Sequence, residues 1–326
     1  MIYNLMIALI TSFLITLVLC LVGIPVLKKI KAGQPVLGYV KEHASKNGTP
    51  TMGGIFFVIS LVITYLLMGN YGRLSNVILV VTTSFSVVGF LDDFLKVKGR
   101  ENLGLKAYQK IAFQFIIALF TGIFAFVYKI TEVNIPFFNV SVDFGWWIIP
   151  FSMLVLISST NAVNLTDGLD GLASSVTFCY LIFFLVLLLL QNSGYDLLMK
   201  SSEYFSISTI ICVLIGGLIA FLIFNTHKAS VFMGDTGSLS LGGFIGVTAI
   251  LTKNALFLLV LGFSFVIAII SVIIQVLYFK KTKKRVFLMS PYHHHLQMKG
   301  LSESKIAYIY SLITCIIGVS LVISYL

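Results

Sequence analysis

Apolar runs long enough to cross a lipid bilayer recur along the whole chain, and they constrain its fold more than any other feature. A helix rises about 1.5 Å per residue, so about 20 apolar residues span about 30 Å of hydrocarbon. Hydrophobic residues make up 58% and charged residues 10% of the 326 residues. That is more apolar surface than one soluble core can bury. The sequence therefore predicts an all-α integral membrane protein.

The apolar runs predict about ten transmembrane helices. No linker, repeat or low-complexity tract divides the chain, so we expect a single polytopic domain over residues 1–326. The span at 238 to 252 is short and glycine-rich, which favours contact with other helices over contact with lipid. The predicted spans are 3 to 27, 52 to 69, 76 to 94, 108 to 129, 146 to 163, 172 to 191, 205 to 224, 238 to 252, 255 to 279 and 305 to 325.

Basic residues divide unevenly between the two faces that this arrangement creates. Of 22 Lys and Arg, the face away from the motif-bearing segments holds only Arg73, Lys129, Lys200 and Lys253. Because cytoplasmic loops are enriched in Lys and Arg, the distribution predicts a cytoplasmic motif-bearing face and both termini outside. The net charge of +10 then requires no nucleic-acid partner, and the partner that the composition implies is the lipid bilayer.

Three acidic islands lie at the edges of predicted spans on the basic face. They contain Asp92 with Asp93, Asp167 with Asp170, and Asp235. Ionisable residues at such positions are costly and usually functional. Clustered carboxylates without thiolates favour a hard cation such as Mg²⁺, which usually acts on phosphates.

Each island also has a structural explanation. Asp92 and Asp93 are predicted on the last turn of the third helix, about 100° apart, so we expect a frayed helix end if both serve one site. A solvated helix end is the alternative, although acids there oppose the helix dipole. Asp167 and Asp170 share one side of a turn, where ligand binding or capping of the sixth helix would each suffice. Asp235 precedes the eighth helix and holds either a cation or the helix N-terminus.

Two further segments suggest contacts with phosphate or sugar. Residues 48 to 54 open the second predicted helix, with Lys46 just before them, and they resemble a phosphate cradle without the spacing of a P-loop. His293, His294 and His295 follow a basic run in the largest predicted cytoplasmic loop. Consecutive loop residues seldom present three ligands to one zinc ion, so substrate contacts are favoured. A solvated loop, with the basic run facing anionic lipid, is the alternative.

Five segments resemble, in order, the motifs of the phospho-N-acetylmuramoyl-pentapeptide transferase family, within the polyprenyl-phosphate N-acetylhexosamine-1-phosphate transferases. They are Lys46 to Gly54, Asp92 to Lys96, Asn161 to Ala173, Phe232 to Leu239 and Pro291 to His295. The resemblance implies transfer of phospho-N-acetylmuramoyl-pentapeptide from its UDP carrier to undecaprenyl phosphate, giving lipid I and UMP. It also implies Mg²⁺ as cofactor, the bacterial cytoplasmic membrane as location, and a possible homodimer.

The same resemblance assigns roles to individual residues. Asp235 would bind Mg²⁺, and Asp93 would support the metal or the phosphate. Asp92 would orient or deprotonate the lipid phosphate, and Lys96 would bind phosphate. The nucleotide-sugar pocket would include Lys46, Thr51, Asn164, Asp167, Asp170, Asn225, Phe232, Gln275, His293, His294 and His295, with uracil stacking on Phe232. One departure is Gln297, which stands where the family commonly has an acidic residue.

Two other functions compete with this interpretation. A sister transferase would use UDP-N-acetylglucosamine and the same acceptor lipid. A cation-coupled transporter would also carry intramembrane carboxylates, but none of the acids lies at the midplane of the ten predicted spans, where transporter sites are expected. For the transferase, an acceptor phosphate monoester is already mostly a dianion at pH 7, which favours direct attack over a covalent aspartyl intermediate.

Overall fold

The computed structural model describes residues 2–30, 48–99, 104–138, 140–194 and 201–325. Within these ranges the chain is a helical bundle with one small hairpin, formed by β1 (Glu132–Asn134) and β2 (Ser141–Asp143). The helices are α1 (Ile2–Lys29), α2 (Gly54–Met68), α3 (Arg73–Gly99), α4 (Ala107–Val127), α5 (Ile148–Thr166), α6 (Leu172–Gly194), α7 (Ser201–Asn225), α8 (Gly234–Leu251), α9 (Phe257–Val260), α10 (Phe263–Thr282), α11 (Tyr292–Met298) and α12 (Glu303–Ile323).

Helices occupy every predicted span, which confirms the all-α membrane fold class. In the described part of the chain, eight helices are long and apolar enough to cross a membrane. Helix α2 is shorter, with 15 residues, and α8 is not among the eight. The predicted helix at 255 to 279 is wrong in detail, because Leu261 and Gly262 separate α9 from α10. Glycine has low helix propensity, which suits it to such a break.

Helix α8 forms the centre of the bundle. Every residue of α8 from Thr236 to Leu251 is buried, and its most extensive packing is against α3 and α5. Gly242 lies directly against the backbone of α5, where the hydroxyl of Ser159 donates to the Gly242 carbonyl at 2.9 Å. The prediction that this glycine-rich helix contacts other helices is confirmed. Its small residues permit the close backbone approach.

The surface of the bundle is apolar where lipid would surround it. Large hydrophobic side chains such as Leu14 on α1, Ile116 on α4 and Ile316 on α12 are more than half exposed. The segment between α4 and α5 carries the antiparallel hairpin of β1 and β2, in which Val133 lies opposite Val142. At that end of the bundle, Lys253 pairs with Glu132 at 2.9 Å.

The opposite end of the bundle gathers the predicted motifs. The C-terminal ends of α3 and α5 meet the N-terminal ends of α4 and α8 there, as the hydrogen bonds and ion pairs between their terminal residues show. The short helix α11 and the start of α12 lie at the same end, because Glu303 accepts a hydrogen bond from the backbone N–H of Asp170 at 3.2 Å. The predicted convergence on one face is therefore confirmed for the described residues.

Candidate active site

Three aspartates form the centre of the site. One carboxylate oxygen from each of Asp92, Asp93 and Asp235 lies within 4.8 Å of the others, and this is the one group of potential metal ligands found among the described residues. Asp92 and Asp93 are 2% and 0% exposed. The expectation of a frayed helix end is wrong, because α3 continues to Gly99 beyond both residues. The three carboxylates converge because the start of α8 brings Asp235 close to both Asp92 and Asp93.

Asp93 holds the N-terminus of α8. Its Oδ1 accepts from the backbone N–H of Asp235 at 3.1 Å. Its Oδ2 accepts from the backbone N–H and the hydroxyl of Thr236 at 2.9 and 2.7 Å. The helix also starts at Gly234, earlier than predicted, so that Asp235 lies in its first turn rather than before it. A carboxylate offers about four acceptor positions, so one position of Asp93 remains for a metal ion.

Gly234 makes this arrangement possible. Its φ is +71°, and an added Cβ would lie 2.5 Å from Oδ2 of Asp93 and 2.7 Å from the hydroxyl of Thr51. Thr51 is itself 3% exposed. The segment predicted as a phosphate cradle packs on this turn, because the backbone N–H of Gly54 donates to the Met233 carbonyl at 2.9 Å.

Two lysines neutralise part of the acidic cluster. The ammonium of Lys96 lies 2.5 Å from Asp92 Oδ2 and 3.2 Å from Asp235 Oδ2. Lys110 on α4 contacts the same oxygen of Asp235 and lies 4.0 Å from Asp92 Oδ2. Three carboxylates against two ammonium groups leave one negative charge uncompensated in a buried site. Such a site favours an additional cation.

Sequence reasoning missed Lys110 as a site residue. It was counted only among the basic residues of the predicted cytoplasmic face. Its position in the first turn of a predicted span, where a charge is costly, was the available signal.

Asn164 completes the surroundings of Asp235. Its amide donates to Asp235 Oδ1 at 2.7 Å and to the hydroxyl of Ser238 at 2.8 Å. Both oxygens of Asp235 are therefore engaged, one by the α5 amide and one by the two lysines. Asn164 was predicted to contact the nucleotide sugar, and the structure places it against the acidic cluster.

The second acidic island lies beside the first. Asp167 follows the last turn of α5. Burial first, and then the neighbouring carboxylates of Asp235 and Asp93, raise the pKa of the Asp167 carboxyl well above its usual range. Asp170 instead fixes the segment before α8, since its Oδ2 accepts from the backbone N–H of Ala229 at 3.2 Å. The local field at Asp167 therefore favours a bound proton or cation.

The three histidines have three different environments, and they lie on a short helix rather than in a loop. His293 is fully buried, and both ring nitrogens lack a hydrogen-bond partner within the described residues. Burial, together with His294, holds the pKa of His293 well below its usual range. An added Cβ at Gly168 would lie 2.6 Å from Nε2 of His293 and 2.8 Å from Nε2 of His294. His295 accepts from the backbone N–H of Leu288 at 3.1 Å.

The remaining predicted pocket residues brace loops. Asn225 accepts from Ser174 at 2.7 Å and donates to the Val231 carbonyl at 3.1 Å. Gln275 Oε1 accepts from the backbone N–H groups of residues 286 and 287 at 3.1 and 3.0 Å. Phe232 is half-buried, and its backbone N–H donates to the Pro50 carbonyl at 2.8 Å. Lys46 lies outside the described residues, so the structure adds nothing about it.

A helical membrane bundle with a carboxylate and lysine centre at one end defines a polytopic membrane protein equipped to bind a cation and an anionic group. Comparison with known proteins narrows this class. The family model for glycosyl transferase family 4 matches residues 75–253, and a phospho-N-acetylmuramoyl-pentapeptide-transferase signature matches residues 46–58.

Similar proteins named phospho-N-acetylmuramoyl-pentapeptide-transferase cover nearly the full chain. The protein of Thermoanaerobacter sp. (strain X514) is 41% identical over 318 residues, covering 97% of each chain. The protein of Desulforamulus reducens is 44% identical over 307 residues, covering 90% of this chain and 88% of its own. That of Clostridium perfringens (strain 13) is 42% identical over 311 residues, covering 95% of each. The chain belongs to the phospho-N-acetylmuramoyl-pentapeptide-transferase family.

Proposed function

We propose that the protein transfers phospho-N-acetylmuramoyl-pentapeptide from its UDP carrier to undecaprenyl phosphate, forming lipid I and UMP. The full-length similarity to transferases of that name supports the reaction. The observation that carries the site assignment is the convergence of Asp92, Asp93 and Asp235 with two lysines at one end of the bundle. An amphiphilic acceptor with its head in water and its tail in lipid suits a site in that position.

The reaction is an exchange of one phosphoanhydride for another. An oxygen of undecaprenyl phosphate attacks the sugar-linked phosphorus, and the bond from that phosphorus to the oxygen of the uridine phosphate breaks. The bond electrons leave with UMP. Because the acceptor phosphate is mostly a dianion at pH 7, the step needs little proton abstraction. Positioning and charge neutralisation then dominate, which supports direct attack without a covalent aspartyl intermediate.

The chain's own residues divide this work. Lys96 and Lys110 supply positive charge for the phosphates, and Asp92 holds Lys96 in place while orienting the acceptor. Asp93 fixes the N-terminus of α8 and thereby positions Asp235. The carboxylates of Asp235 and Asp93 fit Mg²⁺, a hard cation that binds oxygen ligands. When bound, Mg²⁺ would neutralise charge on the substrate phosphates.

The sugar nucleotide would occupy the neighbouring surface. In this proposal the pocket for the sugar nucleotide is formed or supported by Lys46, Thr51, Asn164, Asp167, Asp170, Asn225, Phe232, Gln275 and the three histidines. Asn225 and Gln275 act through the loops that they brace. Phe232 offers a half-buried ring for uracil.

We also place the site on the cytoplasmic side of a bacterial cytoplasmic membrane, with ten membrane-embedded helices and both termini outside. Basic residues at the site end support this orientation, including Lys28 and Lys29 at the end of α1 and Lys280 and Lys281 at the end of α10. A soluble UDP-linked donor reaches a site only on that side. A homodimer is part of the proposal.

A comparison of two donor substrates tests the proposed function. Purified protein receives undecaprenyl phosphate, with or without Mg²⁺, and either UDP-N-acetylmuramoyl-pentapeptide or UDP-N-acetylglucosamine. We expect Mg²⁺-dependent UMP release and lipid-linked product from the pentapeptide donor alone. Product from UDP-N-acetylglucosamine alone would establish the sister specificity instead. Cation flux in proteoliposomes without UMP release would identify a transporter, and full activity in the presence of a chelator would remove Mg²⁺ from the proposal.

A further inference from the structure

A chain of polar side chains links α11 to α12 behind the acidic site. Gln297 Oε1 lies 3.1 Å from Nδ1 of His294, and its amide nitrogen donates to Glu303 Oε1 at 3.3 Å. The other oxygen of Glu303 accepts from the backbone N–H of Asp170 at 3.2 Å. Gln297 and Glu303 are only 6% and 7% exposed, so their polar groups need hydrogen-bond partners within the protein, and the contacts above are among them.

The carboxylate of Glu303 sets the direction of this chain. A carboxylate accepts hydrogen bonds, so Gln297 must turn its NH₂ group toward Glu303. Its carbonyl oxygen then faces His294, and an oxygen acceptor at Nδ1 requires a proton on that nitrogen. The Glu303 carboxylate therefore assigns the amide orientation, which the similar shapes of the amide oxygen and nitrogen would leave open.

The other ring nitrogen of His294 faces the second acidic island. An added Cβ at Gly168 would lie 2.8 Å from Nε2 of His294. Because Gly168 has no side chain, the His294 ring can pack against its backbone, next to Asp167. When Nδ1 carries the proton of a neutral ring, Nε2 is an acceptor. The position beside Asp167 is part of the proposed substrate surface.

We propose that Gln297 and Glu303 are positioning residues that hold His294 as its Nδ1–H tautomer, so that Nε2 accepts a hydrogen bond from a hydroxyl or amide N–H of the sugar nucleotide. The identity of this ligand rests on the proposed function, whereas the tautomer does not.

The substitution Glu303→Gln gives a directional test. An amide at position 303 would keep its oxygen toward the Asp170 N–H and present its NH₂ to residue 297. The Gln297 amide would then turn over, its NH₂ would face His294, and the protonated nitrogen would switch to Nε2. The double variant Q297E/E303Q restores the wild-type direction, because the carboxylate introduced at position 297 accepts from both the new amide at position 303 and His294 Nδ1–H. Lys305→Gln is the matched control, since Lys305 is exposed on the first turn of α12.

Two measurements decide the proposal. Nitrogen-15 NMR of histidine-labelled full-length protein, with the His294 signal identified by its loss in His294→Asn, reports the tautomer without any substrate. Steady-state kinetics with the pentapeptide donor report its effect. We expect an Nδ1–H ring in wild type, an Nε2–H ring in E303Q with about a tenfold loss of kcat/KM, the worth of one hydrogen bond, and recovery in the double variant.

The outcomes separate this proposal from the proposed function. An Nε2–H ring or an imidazolium at His294 in the wild type would overturn the proposed tautomer, whether or not the protein is an active transferase. An Nδ1–H ring at His294 in a protein that releases no UMP would support the proposed tautomer and count against the proposed transferase function. Loss of activity in E303Q without recovery in Q297E/E303Q would contradict the positioning role, and activity equal to that of K305Q in every variant would do the same.

Discussion

The contact between α3 and α8 at Gly89 predicts a large functional effect from a single methyl group. Gly89 faces the backbone at the start of α8. An added Cβ would lie 2.6 Å from the backbone nitrogen of Thr236 and closer still to the carbonyl group of Asp235, whereas Cβ contacts below 3.0 Å essentially do not occur. The obstacle is backbone on both helices, so rotation of a side chain cannot relieve it. Gly89→Ala must therefore move the helices apart.

The size of the effect follows from that displacement. Relieving the overlap requires a separation of about 1 Å, and a misplacement of about 1 Å in a catalytic site costs about 100-fold in rate. This corresponds to about 2.7 kcal/mol of transition-state stabilisation. Asp235 and Asp93 are the groups displaced, because their hydrogen bond crosses the same helix pair.

The assay compares kcat/KM and thermal stability in detergent for wild type, Gly89→Ala and Gly99→Ala. Gly99 lies on the same helix, where an added Cβ would meet nothing within 4 Å, so its variant should retain wild-type activity. Overpacking typically costs about 1–3 kcal/mol, so Gly89→Ala should fold with a lowered melting temperature. A folded Gly89→Ala variant with kcat/KM within about threefold of wild type would refute the idea that this contact positions Asp235.

Three further predictions follow from the site and the membrane orientation. Lys110→Met should lower kcat/KM about 100-fold by removing a charge aimed at the phosphates, with exposed Lys98→Met as control; equal activities would exclude Lys110 from the site. Folding holds the pKa of His293 below its ordinary value of about 6.5. The contribution of His293 to stability is therefore full above that pH and is lost as the pH falls. The melting temperature should drop between about pH 7 and 5 in wild type and less in His293→Asn, and parallel curves for the two proteins would contradict this. In intact cells an impermeant maleimide should label Phe138→Cys but not Lys299→Cys, and the reverse pattern would invert the proposed orientation.

The acidic residues could be assigned to one face from the sequence, but their contacts could not. Asp92, Asp93 and Asp235 were expected on one face because alternate spans return to the same side of a membrane, and they do converge. Their individual partners were not predictable. Lys110 contacts Asp235 across 125 residues of sequence, and its place within a predicted span signals a role without identifying that partner. The expected frayed end of α3 was wrong because the start of α8, rather than unwinding, brings the carboxylates together.

The histidines and Gln275 show that residues expected in one pocket can have separate surroundings. The three histidines were expected to contact substrate phosphate or sugar, and the structure adds that α11 directs His293 into the interior and His295 toward the preceding loop. Gln275 was assigned to the pocket by resemblance, and the structure engages its amide with the backbone of Val286 and Phe287. Helical geometry turns neighbouring residues by about 100°, so adjacency in sequence does not give adjacency in a site.

The sequence by itself determined that this protein is a helical membrane bundle with an acidic centre at one end. Hydrocarbon requires every backbone polar group to be satisfied within the span, which leaves long apolar runs few folds other than helices, and alternation of spans then fixes which segments share a face. Only the tertiary structure decided that Asp93 holds the start of α8, that Lys110 completes the charge of the site, and that Gln297 links His294 to Glu303. These contacts depend on how distant helices pack, at a precision of about 1 Å that no local pattern encodes.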